Sequence, residues 1–279
     1  MNYQTNPGDP RSEYQNTEIN LKEFKSFDPV RDLPDSFIVG IIASRRSGKS
    51  FLINNMLQKF QKSKRKFTHI FLISKTDAGF EGIPDSYRFD DINALDYIIG
   101  NQEKIKQFNE QQKKKENMYK SRVAIVIDDF AAGNGLKNTA IEDLAVSGRH
   151  YGESGQFGME SNGINVFVLS QSLTKISRTT RLNLDAFLLN NISSLKERDM
   201  ILDESFYINT SRKAKRDGRD TFETLVTSKD FRFIVINNYI QNKRKLSDYI
   251  MYYDANYIKP FKLFGNRLDW IGNKHFPTK

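Results

Sequence analysis

Apolar residues in this chain come in short blocks separated by polar stretches. Six such runs recur: FIVGII at 37–42, HIFLIS at 69–74, VAIVIDDF at 123–130, INVFVLSQS at 164–172, LDAFLLN at 184–190 and FRFIVIN at 231–237. Continuous apolar runs of this length mark strands covered on both faces, the pattern of a parallel sheet. Helix-like stretches separate them. FLINNMLQKF follows the first run; in residues 91–120 INALDYII supplies an apolar face and KIKQFNEQQKKKENMYK is polar on all sides; IEDLAV precedes the fourth run. Strands alternating with helices predict an α/β fold, a mostly parallel central sheet with helices on both faces. After the second run, DAGFEGIPDSYRF carries Gly and Pro turn signals. No internal repeat is visible, and no break interrupts residues 35–240, which are expected to form one domain. Residues 1–34 are expected to be a flexible arm and lead-in, and residues 241–279 a tail packing on the core or on a neighbour.

Directly after the first run stands ASRRSGKS, residues 43–50. Strand, loop and helix is the context in which GxxxxGK[ST] forms a phosphate-binding P-loop. Gly48, Lys49 and Ser50 meet the pattern, while Ala43 stands in place of the first glycine. Backbone N–H groups from Ala43, Ser44, Arg45, Arg46, Ser47, Gly48 and on to Phe51 would cradle phosphates, with the helix N-terminus aimed at their charge. Lys49 would neutralise the β- and γ-phosphates of ATP, and Ser50 would hold Mg²⁺ through its hydroxyl. The bland alternative is a chance GKS in a lysine-rich chain.

The third run ends in Asp128 and Asp129. Ligands of parallel sheets bind at the carboxyl ends of the strands, so both acids are expected beside the phosphates. Asp128 would orient Mg²⁺ and its waters, and Asp129 would polarise the attacking water. The fourth run ends in Ser170 and Gln171, where Gln171 could sense loss of the γ-phosphate. GRH at 148–150 supplies Arg149, and SRTTRLNLD supplies Arg178 and Arg181 between the fourth and fifth runs. Arginine suits the stabilisation of a transferring phosphoryl group, often from a neighbouring subunit. Each of these arginines could equally be a surface ion-pair residue.

Composition narrows the partners. Across 279 residues there are 43 Lys and Arg against 34 Asp and Glu, a formal charge of +9 that favours an anionic partner such as nucleic acid. With no cysteine and three scattered histidines, neither a disulfide framework nor a Cys- or His-rich metal cluster is expected. The polar N-terminus lacks a signal-peptide core, and no apolar run is long enough to cross a bilayer, so a soluble intracellular protein is expected. Basic runs occur at KSKRK (62–66), KKK (113–115) and RKAKRDGR (212–219). The last is expected to be a mobile loop around Gly218, with Arg212, Lys213, Lys215, Arg216 and Arg219 as candidate contacts to DNA phosphates.

ASRRSGKS, VAIVIDDF, GRH, VFVLSQS and TTRLNLDAFLL, in this order, resemble the genome-packaging ATPases of nucleocytoplasmic large DNA viruses and virophages, within the FtsK–HerA superfamily of ring-forming DNA pumps. The likeness covers residues 35–240. It implies a RecA-like P-loop NTPase of the ASCE type and an ATP hydrolase that moves double-stranded DNA into a capsid. It also implies a homo-oligomeric ring, a capsid vertex partner, no membrane, and an infected host cell's cytoplasm or viral factory as its place. By this likeness Lys49 and Ser50 are the P-loop pair, Asp128 and Asp129 the acidic pair, and Gln171 the sensor. Arg149 matches a position for a trans-acting finger, and Arg181 with Asn183 the RxN signature. Two departures are Ala43 in the P-loop and the insertion GESGQFGMESNG after GRH.

Other classes fit less of the chain. The doubled arginine of the loop also resembles phage terminase ATPase domains, but too few residues and acids follow the last run for a nuclease, leaving only a terminase-type ATPase without one. A GTPase needs [NT]KxD, which neither SKTD at 74–77 nor NKRK at 242–245 provides. A small-molecule or nucleoside kinase explains the P-loop but not Gln171 with GRH and RxN. A nonenzymatic scaffold has no use for both Lys49 and the acidic pair.

Overall fold

The P-loop strand lies in the middle of one sheet. The computed structural model describes residues 21–76, 79–80, 82–114, 118, 121–128, 135–148, 151, 163–192, 194–205 and 212–256. Its strands are β1 (Lys25–Ser26), β2 (Ile38–Ala43), β3 (His69–Ser74), β4 (Arg88–Phe89), β5 (Val123–Asp128), β6 (Ile164–Ser170), β7 (Ala186–Asn190), β8 (Arg232–Asn237) and β9 (Ile250–Asp254). They are ordered β1-β9-β8-β7-β2-β6-β5-β3-β4. From β7 to β4 every pairing is parallel. The residues of β2, β3 and β6 are buried throughout. That is why these strands read as unbroken apolar runs: with helices on both faces, neither side of the pleat meets water.

The helices are α1 (Pro29–Asp32), α2 (Lys49–Gln61), α3 (Ala94–Glu110), α4 (Thr139–Ser147), α5 (Arg178–Leu182), α6 (Leu195–Ser205), α7 (Arg212–Thr227) and α8 (Leu246–Tyr249). In α2, Leu52, Ile53, Met56, Leu57 and Phe60 repeat at helical spacing and are buried. Six expected strands are present, and the expected mostly parallel α/β sheet is borne out.

Three features depart from the sequence reading. First, the sheet runs past residue 240: β9 pairs antiparallel with β8, β8 pairs antiparallel with β7, and β1 adds in parallel to β9. Tyr253 on β9 is buried against α2, where its hydroxyl donates to Asn55 Oδ1 at 3.4 Å and the Lys59 ammonium lies 4.9 Å from its ring centre. Second, the back half of α3 is not polar on all sides. Gln102, Ile105 and Asn109 are buried, and Gln102 Nε2 donates to Ser121 Oγ at 2.9 Å, so polar residues here face the core.

Third, RKAKRDGR is helix rather than loop, because Arg212–Thr227 forms α7. Gly218, Thr221, Phe222 and Leu225 are buried along one face at i, i+3, i+4 and i+7 spacing. A glycine inside a helix costs about 1 kcal/mol relative to alanine, and burial of Phe222 and Leu225 outweighs it. The charges lie on the other face, where Arg216 approaches Asp220 at 3.8 Å and Arg219 meets Asp199 of α6 at 2.6 Å.

Candidate active site

The loop between β2 and α2 is shaped by its own backbone. Gly48, the N-cap of α2, has φ +87 and offers no capping side chain, so the first N–H groups of the helix are not met by one. Arg46 is also left-handed, at φ 60. Alternating left-handed residues turn successive N–H groups into one concavity, a ready anion cradle. Lys49 Nζ reaches back along the loop and donates to Ala43 O at 2.7 Å and Ser44 O at 2.9 Å. Ser47 Oγ closes the turn on Ser44 O at 2.7 Å. The ammonium is thus already held over the cradle where phosphate oxygens would meet it.

Ala43 fits where the motif has glycine. It is the last residue of β2, paired with Asn190 of β7, and its backbone is not left-handed. A methyl group at an extended, buried strand end is tolerated, whereas a side chain at Gly48 would be strained by its φ and would lie 3.1 Å from the Phe231 ring.

The strand order brings the remaining chemistry to the same edge. β6 lies between β2 and β5, and Ile42 is level with Ser170. Gln171 therefore follows at the level of the loop's first residue. Ser170 Oγ donates to Ser172 O at 2.7 Å and accepts from Ser172 N at 3.2 Å, fixing the turn that carries Gln171. Asp128 ends β5, half-buried, two strands from the loop, which is roughly 10 Å at the usual strand spacing. Its neighbour Asp129, and Arg149 with most of the insertion after GRH, lie outside the described residues.

The two other arginine candidates differ in their surroundings. Arg181 makes a bidentate pair with Glu204 of α6, at 2.9 and 2.8 Å, and also donates to Ile176 O at 2.8 Å. Only 10% of its side chain is exposed. Arg178 is exposed at the start of α5, as are Arg45 and Arg46 in the loop. Asn183 Nδ2 caps its own helix on Thr179 O at 2.8 Å. Of the DNA-contact candidates, Arg216 and Arg219 are exposed on α7, and the side chains of Arg212, Lys213 and Lys215 lie outside the described residues.

Two residues that the sequence reading left out stand beside the P-loop. Gly79, at φ +90, packs so closely on α2 that a Cβ there would lie 2.9 Å from Ser50 Cβ and 3.2 Å from its Oγ. Asn54 Nδ2 clamps Gly79 O at 2.7 Å. Phe231 has φ 55, is half exposed, and its ring centre lies 5.9 Å from that of Phe51. The only advance signal for Gly79 was its place in a turn after a strand, and Phe231 was hidden inside an apolar run.

The donors at this edge are a serine hydroxyl and a carboxylate, hard oxygens of the kind Mg²⁺ takes together with water and phosphate oxygens. Among the described residues no group of three or more His, Asp or Glu could hold a metal on its own. A hydroxyl and a carboxylate of this kind suit a metal bound jointly with a nucleotide.

The family described as Poxvirus A32 protein matches residues 24–256, from β1 through β9. The chain belongs to the poxvirus A32 family. This bears out the resemblance read from the motifs, and the match takes in β9, beyond the span that carried them. No curated protein sequence matches the chain. Among solved structures, it is similar to the genome packaging NTPase B204 of Sulfolobus turreted icosahedral virus 2 in complex with ATPγS, at 16% identity over 79% of this chain and 98% of that one, with a TM-score of 0.45. It is also similar to the conjugation coupling protein TcpA of pCW3 with ATPγS, at 14% identity over 91% and 74% of the two chains, TM-score 0.49. The cytoplasmic domain of the type VII secretion ATPase EccC of Thermomonospora curvata matches at 12% identity over 86% and 28%, TM-score 0.46. Among the described residues of this A32 family member, no helix is long and apolar enough to cross a membrane.

Proposed function

We propose that this A32 family member is an ATP hydrolase that drives double-stranded DNA into a viral capsid. The observation that carries this reading is a preformed P-loop on β2 with Asp128 and Gln171 at the same sheet edge, in a chain matched to the poxvirus family over residues 24–256. Lys49 and the backbone of residues 43–51 hold the triphosphate of ATP, and Ser50 and Asp128 hold Mg²⁺ with it. Asp129 follows Asp128 directly and polarises the attacking water. Gln171, level with the start of the loop, reports whether the γ-phosphate is present.

Support for a trans-acting arginine comes from what surrounds the others. Arg181 is engaged with Glu204, which leaves Arg149 as the first choice and exposed Arg178 as the second. A finger from a neighbour needs a ring of identical subunits, and a ring supplies the channel a single P-loop domain lacks. The +9 charge suits the phosphate backbone of DNA, gripped without reading sequence. Packaging further calls for a partner at the capsid vertex and places the work in the infected host cell, in its cytoplasm or viral factory.

The test is ATP hydrolysis by the purified protein with and without duplex DNA, alongside Lys49→Ala. DNA-stimulated turnover in the parent, and none in Lys49→Ala, is expected. Turnover in Lys49→Ala equal to that of the parent would sink the assignment. Mixing Lys49→Ala with Arg149→Ala should restore part of the activity, because each subunit supplies what its neighbour lacks. No rescue in verified mixed rings moves the finger away from Arg149.

A further inference from the structure

The sheet divides the P-loop's surroundings into two sides. On one side of β2 lie β6 and β5, with Gln171 and Asp128 at their carboxyl ends. On the other side lie β7 and β8. Because β8 runs antiparallel to β7, with Leu189 level with Ile234, β8 begins at the edge where the parallel strands end. Phe231, the residue before β8, therefore stands at the edge of the P-loop, two strands from β2 on the side away from Asp128.

Its conformation is unusual and firmly held. A left-handed backbone at φ 55 is costly for a bulky side chain. Ala255 N donates to Phe231 O at 3.2 Å, and Asn190 Nδ2 donates to Arg232 O at 2.7 Å. Arg232 makes a bidentate pair with Asp254, at 2.7 and 2.9 Å, and Lys229 meets the same carboxylate at 3.0 Å. These contacts fix the turn from both flanks. What they fix is an aromatic ring 52% exposed, beside Gly48 at the start of α2 and 5.9 Å from the ring of Phe51, the residue after Ser50. Strain of this sort, held in place at a functional edge, points to use.

We infer that Phe231, backed by Phe51, is the stacking shelf for the purine base of the bound nucleoside triphosphate. This rests on the reading of the loop as an ATP site. With the γ-phosphate directed toward Gln171 and Asp128, the ribose and base leave the loop on the opposite side, where Phe231 stands. Every base offers a π-face to such a ring, so the shelf adds affinity for the nucleoside and does not select among purines by hydrogen bonding.

The experiment measures equilibrium binding of Mg-ATP and of Mg-tripolyphosphate, which has the phosphates and no base, to the full chain. Phe231→Gly is the primary variant, because glycine adopts this backbone without strain and so keeps the fold. It should bind ATP about tenfold more weakly than the parent, on the scale of losing one base–aromatic stack, and tripolyphosphate equally well. Phe231→Tyr should restore ATP binding. Parent-like ATP affinity in Phe231→Gly overturns the shelf. So does an equal loss for ATP and tripolyphosphate, which would make Phe231 a buttress of the loop. A parent that binds neither ligand refutes the ATP site itself, a failure distinct from these two.

Discussion

Replacing Gly79 with alanine tests whether the turn after β3 sets the position of Ser50. The perturbation has two parts. At φ +90 an alanine sits in backbone space that L-residues avoid, a cost of about 1–2 kcal/mol. Its Cβ would also lie 2.9 Å from Ser50 Cβ, closer than such atoms approach, so either Ser50 or the turn must move. The turn is held by the 2.7 Å bond from Asn54 to Gly79 O, and losing a bond of this kind costs about 1 kcal/mol. A total near 3 kcal/mol corresponds to a fall in Tm of about 6–12 °C for a domain of this size. If Ser50 is the part that moves, its hydroxyl leaves the place proposed for Mg²⁺, and the Mg²⁺ concentration giving half-maximal ATP hydrolysis should rise several-fold. The assays are thermal denaturation without nucleotide and a Mg²⁺ titration of ATPase rate at saturating total ATP. A variant with parent-like Tm and parent-like Mg²⁺ dependence would refute the reasoning, because it would mean that neither the backbone nor the contact constrains this corner.

Arg181→Ala should destabilise the fold by about 2–3 kcal/mol, seen in chemical denaturation, because it leaves the Glu204 carboxylate without its bidentate partner; parent-like stability with lost ATPase activity would instead mark Arg181 as a finger. Burial lowers the pKa of His69 from 6.5 to about 4, so the unfolded chain takes up this proton first as pH falls. The sign follows: the stability this neutral histidine permits is present above pH 6.5 and is lost as pH drops from 6.5 toward 4, by roughly 3 kcal/mol in all. His69→Phe, in a site already lined by Phe71 and Tyr87, should flatten denaturation midpoints across that window, and an unchanged slope would count against the assignment.

The parallel half of the fold was legible because its physics is local. A strand covered on both faces is apolar at nearly every position, so β2, β3, β5 and β6 announced themselves as runs. The edge was harder. β9 reads IMYYD and follows a stretch of lysines and arginines, so nothing in its own sequence separates a sheet strand from an aromatic tail. It becomes a strand through pairing with β8 and through Tyr253 packing on α2, contacts with partners far away in sequence. α7 failed for the opposite reason. Its dense charge and its glycine spoke for a loop, while the signal for a helix was the spacing of Gly218, Thr221, Phe222 and Leu225, visible only when glycine is counted as a packed residue.

The candidate site divides along the same line. Lys49, Ser50 and Asp128 were readable as candidates because a phosphate loop and an acid proposed to hold a metal need fixed residue types at fixed places on strand ends. Gly79 and Phe231 were not, because their roles follow from where the sheet order brings their turns. One presses on Ser50 from the turn after β3, and the other stands over Gly48 from the start of an antiparallel strand that only the pairing of β7 with β8 turns back toward the loop. Arg181 shows the converse case. A motif made it a candidate for chemistry, yet its guanidinium is bound by Glu204, twenty-three residues away on another helix. Residue type tells what a side chain can do; the neighbours that the fold supplies decide whether it is available to do it.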